Sequence, residues 1–269
     1  MDTAPGDFRC LPQGQETPLT ARQEGAFRYR LAYARAAESR AAGQPGQDHV
    51  AWRLDEHVAV LAVCDGVGQS FYGELAARFL GEALVRWLWR EVPAGADADA
   101  LAALLEEQLR RWTVAASAQV QEYPLPEGIP ALQRQALEQK RAIGSQSMFA
   151  AARVDLPGPD CPQGRVIAAW MGDVRLRLWS GEAEWAGGGV SAPDGAERWS
   201  TRVGPVHGAP HLLVAPLLEA GLSRLLVYSD GLAELDRLGH PPSEAELQAA
   251  MDHSASAATS DDLSYLELT

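Results

Sequence analysis

Cysteine, basic residues and long apolar runs are all scarce in this chain, and each shortage excludes a class of protein. The three cysteines, Cys10, Cys64 and Cys161, are odd in number and widely spaced, so neither a disulfide framework nor a zinc ribbon is expected. Free thiols fit a reducing cytoplasm best. No run of about 18 apolar residues predicts a transmembrane helix. The polar stretch Met1–Gln15 lacks the apolar core of a secretory signal.

The charge balance is strongly acidic. Asp and Glu number 36 against 23 for Lys and Arg, which gives a formal net charge of −13, and Lys140 is the only lysine. This balance argues against a nucleic-acid-binding surface and against a polybasic membrane anchor, so we expect neither partner. The hydrophobic fraction of 46% is enough to build a sizeable core.

The order of the predicted elements favours an α+β fold in one domain, residues 26–269, after a flexible segment over residues 1–25. Val58–Cys64 and Leu225–Tyr228 are apolar on both faces, which predicts two central, buried strands. Blocks of strands and helices follow one another, which predicts layers instead of alternating βαβ units. The predicted strands are Phe27–Ala34, Val50–Leu54, Val58–Cys64, Ser147–Val154, Arg165–Trp170, Val174–Trp179, Leu212–Ala215, Arg224–Tyr228 and Leu263–Leu268. The predicted helices are Gly73–Glu91, Ala98–Val120, Ala131–Ala142, Gly231–Asp236 and Ser243–Met251.

Acidic residues stand at the ends of several predicted strands. Taken singly, each is explained by a capped turn, a hairpin or a solvated loop. Taken together they suggest another interpretation, because strand ends can converge on one edge of a sheet. Carboxylates without a His or Cys pattern are typical of a site for a hard cation such as Mg²⁺, not for zinc. The acids concerned are Asp48, Asp65, Asp173, Asp230, Asp261 and Asp262.

Six segments, in order, resemble the motifs of the metal-dependent protein phosphatases, the type 2C serine/threonine phosphatases. They are Gln47-Asp48, Val63–Gly68, Gly144–Ala151, Met171–Arg175, Leu226–Leu232 and Ser260–Ser264. The resemblance covers roughly residues 27–269 and is strongest to a compact bacterial branch with a Gln-Asp loop. It implies an antiparallel β-sandwich of two sheets, flanked by helices on both outer faces, with a metal pair at one end.

The resemblance also implies roles for single residues. Asp65 resembles the Asp that bridges both metal ions, and Gly66 resembles the glycine whose carbonyl holds the second ion. Asp230 and Asp261 resemble the remaining ligands of the first ion. Asp48 resembles the carboxylate that orients the metal-bound water.

The cofactors implied by the resemblance are two Mn²⁺ or Mg²⁺ ions, with a third, weaker ion in bacterial members. Asp173 resembles the Asp that helps to hold this third ion.

The chain departs from the family pattern beside Asp48. Gln47 stands where the family often has Glu, and a glutamine supplies no charge for direct coordination of the second metal. The Arg that binds the substrate phosphate in the family is missing from its usual place upstream. Arg40 and Arg35 are the two candidates to replace it, and we predict Arg40 as the substrate-binding residue. His49 either donates a proton to a leaving group or is simply exposed.

We therefore weigh two functions. The first is a phosphatase for phosphoserine or phosphothreonine in proteins, in which two metal ions lower the pKa of a bridging water that attacks phosphorus in line. The second is a pseudophosphatase that acts as a regulatory or binding module. A domain that works only beside a partner, such as a cognate kinase, is a third interpretation. We expect a cytoplasmic monomer in which loops near Gly187–Gly208 shape substrate access.

Overall fold

Two antiparallel sheets pack face to face, with helices on both outer sides, in a computed structural model that describes residues 7–93, 95–185, 195–257 and 260–269. The first sheet contains β1 (Arg9–Cys10), β4 (His49–Leu54), β5 (Val58–Gly66), β6 (Gln146–Asp155), β7 (Arg165–Met171), β10 (Arg198–Ser200), β11 (Gly204–Val206) and β12 (His211–Pro216). The second contains β2 (Thr17–Glu24), β3 (Phe27–Ala34), β8 (Arg175–Ser180), β9 (Ala183–Glu184), β13 (Arg224–Tyr228) and β14 (Leu263–Leu268). The helices are α1 (Ala37–Ala41), α2 (Gly73–Arg90), α3 (Ala98–Glu122), α4 (Ala131–Ile143) and α5 (Glu244–Ser256), with a 3-10 segment over Asp230–Arg237. The predicted sandwich is confirmed.

Strand β5 shows why the run after Val58 is apolar on both faces. Ala59, Leu61 and Val63 point into the core between the two sheets. The alternate residues, including Val60 and Ala62, point outward and are covered by α2 and α3. Successive side chains of a strand face opposite sides, so a strand in a middle layer must be apolar throughout.

The second sheet is covered on its outer face by shorter helical elements. Leu232 and Leu235 of the 3-10 segment and Leu247 of α5 pack against Trp179 and Tyr228 of the sheet. Together with α2 and α3 on the other side, this gives four layers. No helix within the described part of the chain is long and apolar enough to cross a membrane.

The beginning of the chain differs from the expected flexible segment over residues 1–25. Thr17–Glu24 forms an edge strand that pairs with β3, and Arg9–Cys10 pairs with β4 of the other sheet. Arg9 also forms an ion pair with Glu24. Both sheets therefore gain an edge strand from residues that precede the predicted domain.

Candidate metal centre

The register of the first sheet brings two of the predicted acids together. Strands β4 and β5 are antiparallel, with His49 opposite Cys64. Asp48 directly precedes His49 and Asp65 directly follows Cys64, so both acids stand at the same end of the strand pair. Antiparallel pairing thus joins two positions that are 17 residues apart in the sequence.

The second sheet delivers its acids to the same end of the sandwich. Tyr228, near the end of β13, lies opposite Tyr265 of β14. Asp230 follows Tyr228 by two residues, and Asp261 precedes the first residue of β14. Each of these acids therefore lies just beyond the end of a buried strand.

Asp173 lies on the connection between the two sheets. It follows β7 of the first sheet and precedes β8 of the second. From the sequence, the simplest explanation of Gly172-Asp173 is a hairpin turn. The structure instead has a crossover here, in which the chain passes from one sheet to the other. The crossover places Asp173 at the same end as the other acids.

The five carboxylates influence one another electrostatically. Burial raises the pKa of Asp65 well above its usual value, and the charges of Asp48, Asp230, Asp261 and Asp173 raise it further. All five belong to the predicted site, so the structure brings this set together. We call these five residues the acid cluster.

The pKa of Asp230 is also raised, but less than that of Asp65. Burial, followed by the charges of Asp261 and Asp173, raises the pKa of Asp230 to about 6. Arg175 and a hydrogen bond with Asp65 act in the opposite direction. The carboxyl therefore stays protonated at a pH at which an isolated aspartate is already ionised.

Asp48 is the most deeply buried member of the acid cluster, with 1% of its surface exposed. Burial and the charge of Asp262 raise its pKa, while the hydroxyls of Ser229 and Ser264 lower it. Its Oδ2 atom, like Oδ1 of Asp230, is buried and has no hydrogen-bond partner among the described residues. Such atoms are costly to bury unless something binds them.

Gly66 is required by a close crossing of three segments. A Cβ atom at this position would lie 2.5 Å from the carbonyl carbon of Gly73 and 2.7 Å from the carbonyl oxygen of Gln47. The end of β5, the start of α2 and the loop before β4 therefore meet at backbone distance. Any side chain here would push the loop carrying Asp48 away from Asp65.

The acid cluster fits a hard divalent cation by its donor chemistry. It supplies carboxylate oxygens, two of them buried and without partners, and the Gly66 backbone adds a carbonyl. In the described part of the chain, no group of three or more His, Cys, Asp or Glu side chains forms a metal site as it stands. The fit therefore rests on charge and donor type.

Asp262, although next to Asp261, has a different task. Its carboxylate accepts hydrogen bonds from the backbone N–H of Ala36, at 2.6 Å, and from that of Gln47. It ties the loops after β3 and before β4 to the start of β14. Its oxygens are occupied by the backbone, so we count Asp262 as a support for Asp48.

The structure does not bring Arg40 into the acid cluster by any described contact. Its guanidinium donates to the carbonyl oxygen of Ala255 at 3.2 Å. Arg35 donates to Glu16 and to the carbonyl of Gln44, although it lies close enough to Asp262 to feel its charge. The assignment of substrate binding to Arg40 stays a prediction.

The expected exposure of His49 is wrong. His49 is buried under α2, where Gly81 approaches its ring, and burial lowers its pKa to about 4. Its ring faces the helix layer and is neutral at neutral pH, so it carries no imidazolium proton for a leaving group. Cys64 is also fully buried, as expected for a small core residue and not a nucleophile.

The loops near Gly187–Gly208 lie partly outside the described residues, which resume at Gly195. Gly195 lies beside Asp173, since a Cβ there would be 3.3 Å from Oδ2 of that residue. The remaining part forms β10 and β11, next to β6. Their expected role in substrate access stays a prediction.

One buried acid near the acid cluster was not predicted. Glu74, in the first turn of α2, is 8% exposed, and burial raises its pKa to about 7. Its sequence signal is weak, because an acid in the first turn of a helix is ordinarily explained by the helix dipole.

Comparison with known proteins extends these observations. The family model described as protein phosphatase 2C matches residues 35–266. Among solved structures, the fold resembles serine/threonine phosphatase Stp1 from Staphylococcus aureus, at 14% identity and a TM-score of 0.58, covering 92% of this chain and 97% of that one. It also resembles RsbX in complex with magnesium, at 12% identity and a TM-score of 0.55, covering 93% and 98%. A third similar structure is a bacterial serine phosphatase with a single arginine-to-alanine substitution. Its identity is 15% and its TM-score 0.53, and the match covers 89% of this chain and 96% of that one.

These structural similarities show the fold, and no curated protein matches the chain. The family model covers most of the chain, and the sandwich it implies is the one observed. The chain belongs to the protein phosphatase 2C family.

Proposed function

We propose that this protein is a metal-dependent phosphatase that hydrolyses phosphoserine or phosphothreonine in proteins. The observation that carries the proposal is the acid cluster, whose members come from both sheets and whose charges add to the effect of burial in raising the pKa of Asp65. Such a concentration of carboxylates repels a phosphate dianion unless cations are bound. Family membership favours the same activity.

Each member of the acid cluster has a proposed task. Asp65, Gly66, Asp230 and Asp261 would hold two Mn²⁺ or Mg²⁺ ions, and Asp173 a third, weaker ion. When bound, the ions supply Lewis-acid chemistry, which activates a water and neutralises the phosphate.

Asp48 would orient the attacking water through its unpartnered Oδ2, and the water's proton can pass to this carboxylate. Attack in line breaks the bond between phosphorus and the serine or threonine oxygen, which takes up a proton from solvent. Inorganic phosphate is released, and no covalent bond forms between enzyme and substrate. Asp262 keeps Asp48 in place through the N–H of Gln47.

An assay of a phosphate ester with Mn²⁺, with EDTA and with Asp65→Asn tests the proposal. We expect turnover that needs the metal and that falls at least about a hundredfold in Asp65→Asn, because the central carboxylate of the acid cluster is lost. Asp160→Asn, on the surface at the opposite end, is the matched control and should keep full activity. Turnover that persists in EDTA and in Asp65→Asn would refute the mechanism.

A pseudophosphatase remains the second candidate. It is favoured by the uncharged Gln47 beside Asp48 and by the engagement of Arg40 with Ala255. Calorimetric titration with Mn²⁺ separates the two candidates. One tight metal site with no turnover at any Mn²⁺ concentration favours the binding module.

The wider setting follows from the same proposal. The partner is a phosphorylated protein, and a cognate kinase would supply the phosphate that this enzyme removes. We propose a cytoplasmic monomer.

A further inference from the structure

A cleft of about 460 Å³ opens beside the acid cluster and takes no part in the proposed hydrolysis. Gln47, Gly68 and Gly73 are among its lining residues. Gln47 precedes Asp48 in the chain, and the backbone of Gly73 closely approaches that of Gly66. The cleft is also lined by residues 123–126 and by Leu137 and Lys140 of α4. The volume lies within the range of about 300–1,000 Å³ that is typical of ligand sites. A molecule held by its phosphate at the acid cluster can therefore extend into this cleft.

A strained residue holds an aromatic ring in the cleft wall. Tyr72 has left-handed backbone angles, φ 45° and ψ 76°, which non-glycine residues rarely adopt. Its carbonyl accepts hydrogen bonds from the Ser145 hydroxyl and from the N–H of Leu75, each at 2.9 Å. The ring lies 5.1 Å from that of Tyr123. Strain of this kind is a reason to look for function, and here it fixes an aromatic pair beside the acid cluster.

The cleft also contains the only lysine of the chain. Lys140, on α4, is half-buried, and its ammonium has no ion pair or hydrogen bond with any described residue. The next residue, Arg141, is in contrast occupied, since it pairs with Glu138 and donates to the carbonyl of Tyr123 at 2.6 Å. Lys140 is therefore the cation of this cleft that is available to a ligand.

The single acid among the lining residues does not neutralise this cation. Glu74 lies in the cleft, and the charges that act on its carboxyl are those of Arg78 and Asp262. A chain with a net charge of −13 thus presents, next to its acid cluster, one unpaired positive charge between aromatic and apolar walls.

We propose that this cleft binds the polypeptide segment next to the phosphorylated residue of the substrate. An apolar side chain packs against Tyr72 and Tyr123, and an acidic side chain pairs with Lys140. The inference rests on the proposed function and narrows its substrate class to phosphoproteins with an acidic flank. Lys140 is then a specificity-determining residue.

Two phosphoserine peptides test this inference. Both peptides contain the same leucine. One peptide has glutamates on both sides of the phosphoserine, and the other has glutamines at the same positions. The readout is the ratio of their kcat/KM values with Mn²⁺, which cancels any general loss of activity. We expect the wild type to favour the glutamate peptide by roughly two- to fivefold, the size expected of a partly exposed ion pair. Lys140→Gln should bring the ratio to about one, and Lys140→Arg should restore it.

Arg111→Gln is the matched control, because it removes one positive charge from an exposed position on α3, outside the cleft. Its ratio should equal that of the wild type. A wild-type ratio of one, or a preference that survives Lys140→Gln, would overturn the inference. Equal losses on both peptides would also overturn it, since Lys140 would then act on the phosphate or on the fold.

The outcome stays separable from the proposed function. If a small aryl phosphate is hydrolysed but the peptide ratio is one, only this inference fails. If neither peptide nor aryl phosphate is hydrolysed, the proposed function fails, and fluorescence anisotropy with the same labelled peptides then tests the cleft. Tighter binding of the glutamate peptide that is lost in Lys140→Gln supports the inference, and equal binding of both peptides overturns it.

Discussion

The two ends of the sandwich treat buried carboxylates in opposite ways. At the end away from the acid cluster, Asp155 pairs with Arg153 and Arg165, at 2.7 and 3.0 Å. Glu267 pairs there with Arg30 and with Arg224. Each buried acid at this end thus has two arginines.

At the other end, the buried Asp48, the partly buried Asp65 and Asp230 and the exposed Asp261 form no ion pair with any described Lys, Arg or His. They lie near one another instead, and burial together with their mutual repulsion raises the pKa values of Asp65 and Asp230. A carboxylate matched by arginine stabilises the fold. A carboxylate without an ion pair, surrounded mainly by other carboxylates, costs stability and requires a partner from outside, so the contrast supports the proposal that this is the functional end.

The largest effect on stability is expected when the arginine pairing of a buried acid is removed. Glu267→Gln leaves Arg30 and Arg224 without their buried carboxylate, and we expect a loss of about 3 kcal/mol in the free energy of unfolding. Asp48→Asn should change that free energy by less than about 1 kcal/mol, or raise it, because it removes an acid without an ion pair. Urea denaturation of both variants in EDTA measures the difference. Equal losses in the two variants would mean that the ends do not differ.

A pH series sharpens the comparison at Asp230. Its folded pKa, about 6, lies above its ordinary value of 3.8, so the protonated form stabilises the fold. This stabilisation is complete below about pH 4 and is lost as the pH rises through about 6. In EDTA, the melting temperature of the wild type should therefore fall relative to that of Asp230→Asn across this window. A difference between the two proteins that stays constant with pH would contradict the prediction.

The smallest effect concerns phosphate. Without metal, the acid cluster should repel inorganic phosphate, and with Mn²⁺ bound, the affinity should rise by at least about tenfold as the sign of the local charge changes. Isothermal titration with and without Mn²⁺ measures the change, and Asp160→Asn is the control that should leave it intact. Equal phosphate affinity in both states would show that the charge of the acid cluster is not what governs access.

Much of this fold could be predicted from periodicity alone. The runs over β5 and β13 are apolar on both faces, and the structure confirms both as buried strands within their sheets. Strand β2 was missed because its sequence is polar and carries Pro18, and an edge strand tolerates both features. The edge position is visible only once β3 is paired.

The candidate site was less accessible to sequence reasoning. Asp261 and Asp262 are adjacent and chemically identical, yet one is exposed and the other is tied to two backbone N–H groups. His49 was expected either to donate a proton or to be exposed, but the register places its ring under α2. Strand register and loop contacts decide such questions, and a single sequence does not contain them.

The crossover that carries Asp173 has a mechanical consequence. Asp48 and Asp65 belong to the first sheet, Asp230 and Asp261 to the second, and Asp173 lies where the chain passes between them. A cation shared by these residues would link the two sheets at this end of the sandwich. Ion affinity and the alignment of the sheets would then be two sides of one equilibrium. A substitution that repacks the central core, far from any ligand, would in that case change the affinity for the ion.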